Sequence, residues 1–447
     1  MIKLDHIERF YFLGIGGIGM SALAKYFKTK SFEVAGYDKI RTDLCQSLED
    51  ISCVVSYADS LDSLPDEYRD IENTLVVFTP AVPKTNVLFS FFEKEGFKIL
   101  KRAEVLGAIT RNSNCLAIAG THGKTTISTL LAYVLSENDI DCSAFLGGIS
   151  TDFQSNLRIG KEDVVVVEAD EFDRSFLQLS PNFALVSSMD ADHLDIYGSA
   201  ENLEESFQLF ADKVAAGNVI AKEGLNMNAE YTYALNSKTA DFSARNIRVE
   251  RGTYHFNIHY PKGVSRNVST GMPGIHNVEN ALAAFAMAYF EGVDVKGIVD
   301  AIASFSGVKR RFEYQVKSHT RVYIDDYAHH PKEIDVAIRS ARDLYPNRKL
   351  TVVFQPHLFS RTRDFADDFA KSLSAADELY LLDIYPAREK PIKGIDSAFL
   401  LEKVSIEKKY LSSKETILGQ LSDVEILMTL GAGDIDTLVE PIKNLLS

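Results

Sequence analysis

The stretch Cys115-Leu-Ala-Ile-Ala-Gly-Thr-His-Gly-Lys-Thr-Thr126 limits what this chain can fold into more than any other. A short apolar run breaks into glycines and resumes as a helical pattern, with Ile127, Leu130, Leu131, Val134 and Leu135 forming a stripe that seats a helix on a sheet. The order strand, glycine loop, helix aims backbone N–H groups at an anion, and the helix dipole adds positive potential. Lys124 supplies a point charge and the Thr125 hydroxyl can reach a divalent metal. The chemistry implied is ATP binding by Gly120, Thr121, His122, Gly123, Lys124, Thr125 and Thr126. Ile118 stands at the first glycine of the usual G-x-x-x-x-G-K-[ST] spacing, so the loop is a variant.

A second glycine turn precedes it. Phe10-Tyr-Phe-Leu-Gly-Ile-Gly-Gly-Ile-Gly-Met-Ser21 reads as a strand entering Gly14-x-Gly16-Gly17-x-Gly19, followed by apolar residues at helical spacing. A further strand, Phe32 to Asp38, ends in an acid where a dinucleotide fold places a ribose-binding carboxylate. Taken alone the pattern suggests NAD, or a tight turn that binds nothing. Runs at Cys53–Val55, Thr74–Pro80 and Lys98–Leu100 continue a parallel, doubly wound sheet to about residue 107. Two phosphate loops about one domain length apart suggest two nucleotides, one an energy source and one a handle on the substrate.

At 447 residues the chain is expected to form about three domains. Its 63 acidic against 48 basic residues give a net charge of -15, which disfavours a nucleic-acid partner. Cys45, Cys53, Cys115 and Cys142 show no C-x-x-C pair and read as buried thiols of a reducing compartment. The charged start and the lack of any apolar run near about 18 residues argue against a signal peptide or membrane span. A cytoplasmic protein is expected.

Asp163-Val-Val-Val-Val-Glu168 reads as a buried parallel strand whose carboxylate emerges at the edge where ligands gather. There it can share Mg²⁺ with Thr125. Asp170, Glu171 and Asp173 follow, as a solvated loop or a cation site. The next strand, Phe183–Ser188, leads to His193 among carboxylates. Residues 217 to 270 read as scaffold. Asn277 and Asn280 share a helix face in Gly274-Ile-His-Asn-Val-Glu-Asn-Ala-Leu-Ala-Ala284, as caps or as nucleotide contacts. Lys309, Arg310 and Arg311 follow Gly307 at a linker. A last doubly wound sheet opens at Arg321-Val-Tyr-Ile-Asp-Asp-Tyr-Ala-His-His-Pro331, with Pro331 suited to a first helical turn, and continues at Leu350–Phe354, Glu378–Leu382 and Glu425–Thr429. The adjacent His329 and His330 lack a third N or S ligand for zinc.

These motifs, in this order and over essentially the whole chain, resemble the Mur ligase family, which builds the bacterial cell-wall peptide. The resemblance implies an α/β protein of three domains. Residues 1–107 would be a Rossmann-like UDP-substrate-binding domain, 108–308 a P-loop ATPase-like ATP-binding domain, and 309–447 a Rossmann-like domain that closes on amino acid and nucleotide. Gly14, Gly16, Gly17, Gly19 and Asp38 would then hold a UDP diphosphate rather than NAD. Glu168 and His193, with Thr125, would hold Mg²⁺. Asn277, Asn280, Arg311 and Asp326 would contact ATP, while Tyr327, His329 and Arg361 face the amino acid. The implied reaction joins L-alanine to the lactyl carboxylate of UDP-N-acetylmuramate through an acyl phosphate, with Lys124, Glu168, His193 and Arg311 as its catalytic groups. The enzyme would act as a monomer or homodimer, away from nucleic acid and membrane. Tyr37, Phe172, Arg174 and Leu358 depart from the residues usual in the family, the last standing where many relatives carry arginine.

Overall fold

The computed structural model describes residues 6–161, 163–190, 194–215, 217–250, 253–387, 389–421 and 423–447, and His193 therefore lies outside the described residues. The first sheet comprises β1 (Arg9–Leu13), β2 (Glu33–Tyr37), β3 (Val54–Ser56), β4 (Thr74–Phe78) and β5 (Lys98–Lys101). Its order is β3-β2-β1-β4-β5 and every pairing is parallel. Phe10, Phe12, Val34, Leu75 and Val77 alternate onto one face of it with the helix residues Leu23 and Phe27, while Tyr11, Ala35 and Val76 join a separate apolar cluster. The reversal of order at β1 puts the Gly14–Gly19 turn at the crevice where such sheets bind ligands.

The second sheet has ten strands in the order β15-β14-β13-β12-β11-β10-β6-β9-β7-β8. They are β6 (Asn114–Ala119), β7 (Ser143–Ser150), β8 (Ser155–Arg158), β9 (Val164–Glu168), β10 (Phe183–Val186), β11 (Val219–Lys222), β12 (Tyr231–Leu235), β13 (Phe242–Glu250), β14 (Thr253–Tyr260) and β15 (Gly263–Ser269). β6 lies between β9 and β10, parallel to both. Cys115, Leu116, Ala117, Ile118 and Ala119 are all wholly buried, as a strand covered on both faces requires. Of the scaffold region expected at 217 to 270, the described residues supply five of the ten strands.

The third sheet contains β16 (Glu313–Lys317), β17 (Val322–Asp326), β18 (Leu350–Phe354), β19 (Glu378–Leu381), β20 (Lys409–Leu411) and β21 (Ile426–Leu430), in the order β16-β17-β21-β18-β19-β20. Only β16 is antiparallel, at the edge. Pro331 occupies the first turn of the helix Pro331–Leu344, with His330 as its cap.

The chain divides into two compact units. The first comprises Met1–Arg245, Asn257–Arg266 and Asn280–Phe305; the second comprises Asn246–Phe256, Asn267–Glu279 and Ser306–Ser447. All four cysteines are free and buried, and burial pushes the thiols of Cys53 and Cys142 up to about 11 and that of Cys115 up to about 12. Thiols held so far from ionisation are inert packing groups. No helix among the described residues is long and apolar enough to cross a membrane.

Candidate active site

In the first unit β6 ends at Ala119 and the helix Lys124–Glu137 starts five residues later, with Gly123 as its left-handed N-cap at φ 83°. No side chain caps this helix, so its first N–H groups are left for something else to satisfy. The loop between is braced from the end of β10. Ser188 Oγ accepts from His122 N–H at 2.8 Å, Thr121 Oγ1 donates to Ser188 Oγ at 3.0 Å, and Ser187 Oγ donates to the His122 carbonyl at 2.5 Å. His122 Nε2 stands 3.3 Å from Asp190 Oδ2. Asn280 packs on the loop, for a Cβ at Gly123 would come within 2.8 Å of its Oδ1. Thr125 and Thr126 are buried at the helix start.

Lys124 is held by a partner that the sequence did not assign. Its Nζ donates to Gly120 O at 2.6 Å and to both oxygens of Glu171 at 2.9 and 2.7 Å. The lysine side chain is 13% exposed and that of Glu171 2%, so this is a buried ion pair. Burial pulls the ammonium's pKa down, but Glu171, Glu168 and Asp170 together outweigh it and raise the pKa. The dense acid cluster thus resolves into pairs: Asp170 meets Arg102 at 3.1 Å and Asp173 meets Lys101 at 2.6 Å. Arg174, at φ 53°, lies with its guanidinium 5.6 Å from the ring of Tyr197, whose hydroxyl donates to the Glu171 carbonyl at 2.6 Å. It therefore backs the loop that carries Glu171. Glu168 ends β9, and its Oε2 accepts from Gly147 N–H at 2.9 Å.

At the other glycine turn the helix Ile18–Thr29 begins after Gly17, again without a side-chain cap. Asp38 Oδ2 accepts from Gly16 N–H at 2.8 Å and its Oδ1 from Ile40 N–H at 3.2 Å. The acid thus fixes the shape of the turn from inside. Arg102, at the start of the helix Arg102–Thr110, lies against this turn: a Cβ on Gly19 would sit 2.8 Å from its Nη1. The same guanidinium reaches Asp170, so it links the Gly14–Gly19 turn to the loop behind Lys124. Tyr37, at the end of β2, is buried.

The second unit gathers Arg311, Asp326, Tyr327, His329 and Arg361. Asp326 accepts from Phe312 N–H and Ala328 N–H, each at 2.7 Å. Burial pushes its carboxyl up to about 6, although Arg311 and the two N–H groups favour the anion. Arg311 lies over the Tyr327 ring, 5.3 Å from its centroid. His329 Nδ1 is 3.0 Å from the Tyr327 carbonyl and 3.4 Å from Glu333 Oε2; burial lowers its pKa, with Glu333 opposing. Arg361 Nη1 is 3.5 Å from His357 Nδ1, and His357 stacks on Tyr385 at 5.7 Å and 22°. Leu358 caps the short helix Phe359–Asp364 with φ 72° and takes no part through its side chain. No spacing rule in the sequence ties His357 to a tyrosine near residue 385. Asn277 Nδ2 donates to the Pro273 carbonyl at 2.6 Å, a bond of the helix-start kind.

Comparison with known proteins agrees along the whole chain. Residues 9–114 match the family described as Mur ligase family, catalytic domain; 118–288 match the Mur ligase middle domain; 310–433 match the Mur ligase, glutamate ligase domain. The chain is 51% identical over 450 residues to a UDP-N-acetylmuramate–L-alanine ligase of Christiangramia forsetii, covering 100% of this chain and 99% of that protein. It is 50% identical to the ligase of the same name from Flavobacterium psychrophilum, with 99% of each covered. Among solved structures it is similar to the UDP-N-acetylmuramate-alanine ligase of Thermotoga maritima, with a TM-score of 0.84, 26% identity and 98% of each chain covered. Carrying all three matched segments and likenesses that run from end to end, the chain belongs to the Mur ligase family.

Proposed function

We propose that this chain joins L-alanine to the lactyl carboxylate of UDP-N-acetylmuramate at the expense of ATP, a step in peptidoglycan precursor synthesis. What carries the reading is the end-to-end likeness to ligases of that name. The loop Gly120–Thr126 with the buried Lys124 agrees with ATP as the energy source. The domains at 1–107, 108–308 and 309–447 take the UDP substrate, ATP and the amino acid respectively. Lys124 leaves Glu171 for phosphate oxygens, and Arg311 adds a bidentate cation. Their charges neutralise the phosphoryl group as it passes to the lactyl carboxylate. Attack by the alanine amine on the acyl phosphate then gives the amide and phosphate. Tyr327, His329 and Arg361 orient the amino acid. No side chain forms a covalent bond.

The donor set fits Mg²⁺. A strand-end carboxylate and a helix-start hydroxyl, Glu168 and Thr125, are hard oxygen ligands, and the Gly147 N–H fixes the carboxylate as a supporting partner should. With His193 they would hold the ion, which when bound supplies charge neutralisation on the phosphates. Gly147 exists here for close approach: a Cβ would lie 2.2 Å from Glu168 Oε2. Gly147→Ala is expected to leave the melting temperature nearly unchanged, because only a side-chain tip must move. It is also expected to cut turnover by about tenfold or more and raise the Mg²⁺ needed for half-maximal rate, since a displacement near 1 Å is costly in catalysis. Magnesium titration of the purified variant checks this.

The reaction itself is tested by phosphate release with ATP, UDP-N-acetylmuramate and L-alanine each omitted in turn. Release should require all three. Release without the UDP substrate or without alanine would point to a nucleotide-hydrolysing sensor, and a preference for tripeptide over alanine would point to a recycling ligase.

A further inference from the structure

Two arginines stand together in Lys309-Arg310-Arg311-Phe312, and only the second has work in the proposed reaction. The first is built in more firmly. Arg310 Nε donates to Asp325 Oδ2 at 3.0 Å, and its Nη2 donates to the Gly431 carbonyl at 2.7 Å. Asp325 is wholly buried, and its other oxygen accepts from Thr429 Oγ1 at 2.6 Å. Thr429 Oγ1 lies 3.0 Å from the Tyr323 hydroxyl, so the carboxylate is anchored across β17 and β21.

The backbone of the same turn is held at several points. Arg310 N–H donates to Glu313 Oε2 at 2.8 Å, Tyr327 N–H donates to the Arg310 carbonyl at 2.6 Å, and Phe312 N–H donates to Asp326 at 2.7 Å. Arg310 and Phe312 adopt φ 61° and 50°, a region that side chains other than glycine disfavour. Such a conformation persists only where its surroundings over-determine it. Both guanidiniums lie 5.3 Å from the centroid of one ring, that of Tyr327. An ion pair serving the core alone would have no need of the strained turn or the shared ring.

We propose that Arg310, anchored on Asp325, is a positioning residue that fixes the turn and the Tyr327 ring against which Arg311 is set. Arg311 then meets the nucleotide with its direction already fixed, and the Tyr327 ring ties that arginine to the amino-acid side of the reaction. The proposal rests on the assignment of Arg311 to ATP phosphate and extends it.

A double-mutant cycle on the full-length enzyme tests it. Arg310→Lys keeps the charge and loses the planar fork. It is expected to lower kcat about ten- to a hundredfold, the scale of a small misplacement. Arg311→Ala is expected to lower kcat further, and the double variant to match the kcat of Arg311→Ala within about twofold, because the effect of Arg310 on phosphoryl transfer runs through Arg311 while its effect through Tyr327 falls on the KM for alanine. Thr429→Val, which removes one hydrogen bond to Asp325 and no charge, provides a milder route to the same non-additivity should Arg310→Lys not fold. Melting curves on each variant establish that the protein assayed is folded. An additive fall in kcat, with Arg311→Ala impaired, overturns the positioning role alone. Wild-type turnover by Arg311→Ala overturns the phosphate assignment and the positioning role with it.

Discussion

Lys124→Ala is expected to reduce phosphate release to below about one-thousandth of the wild-type rate, the scale on which a single preorganised charge acts at a transferring phosphoryl group. The geometry adds a second consequence. The substitution strands Glu171, whose side chain is 2% exposed and whose two oxygens both face the ammonium. Breaking a buried pair from one side costs about 3–5 kcal/mol, most of it the price of an uncompensated charge. The single variant should therefore melt at a lower temperature as well as fail to turn over. Adding Glu171→Gln removes the stranded charge, so the double variant should recover much of the lost melting temperature and none of the lost rate. Stability and activity measured side by side separate the two roles of the lysine. A single variant that still ligates alanine at a substantial rate sinks its assignment to the phosphate.

Gly120→Ala should be nearly as damaging, by another route. Gly120 has φ 131°, outside the range that L side chains favour. A Cβ there would meet Ser187 Oγ at 2.1 Å and the backbone nitrogens of Ser188 and Ser187 at 2.8 and 3.0 Å. The hydroxyl that is struck is the one donating to the carbonyls of Ala119 and His122, so the loop loses its brace as it loses its room. Gly224, at φ 92° with nothing within 4 Å of its notional Cβ, isolates the backbone part. Its alanine variant should cost only about 1–2 kcal/mol, the strain of the left-handed region. Gly120→Ala should cost several kcal/mol more than that by chemical denaturation and should abolish ATP-analogue binding by calorimetry. Equal destabilisation of the two variants would mean that the loop can give way without loss.

What could be read from the residues alone was what is local. The strands entering Gly14 and Gly120, the stripe Ile127 to Leu135 and the acid-tipped run at Glu168 each carry their structure in a period and a break, and they stand where that pattern puts them. Pairings across the chain were not legible in this way. Lys124 and Glu171 are 47 residues apart and meet only because β9 lies beside β6. Arg102 reaches Asp170 across 68 residues, and nothing in its own helix marks it as facing a glycine turn. Nothing in the sequence sets Gly147 apart from any other strand glycine, yet the Glu168 carboxylate stands where its side chain would be. Charge runs are ambiguous for the same reason: Asp170, Glu171 and Asp173 read as a solvated loop or a cation site, and the structure gives each a basic partner from elsewhere in the chain.

The first unit holds both glycine turns. The helix that starts at the Gly14–Gly19 turn is pinned in its first turn to β8, where Asn156 Nδ2 donates to the Ile18 carbonyl at 2.6 Å and to Ser21 Oγ at 2.9 Å, and Lys25 returns to Asn156 Oδ1 at 3.2 Å. Arg102 ties the other side through Asp170. These bonds make the block between the two turns a ruler. If the first turn holds the nucleotide handle as proposed, its substrate is presented to Lys124 at a set length, and acceptors sharing that handle would be sorted by how far their carboxylate stands from it, before any side chain touches the carboxylate itself.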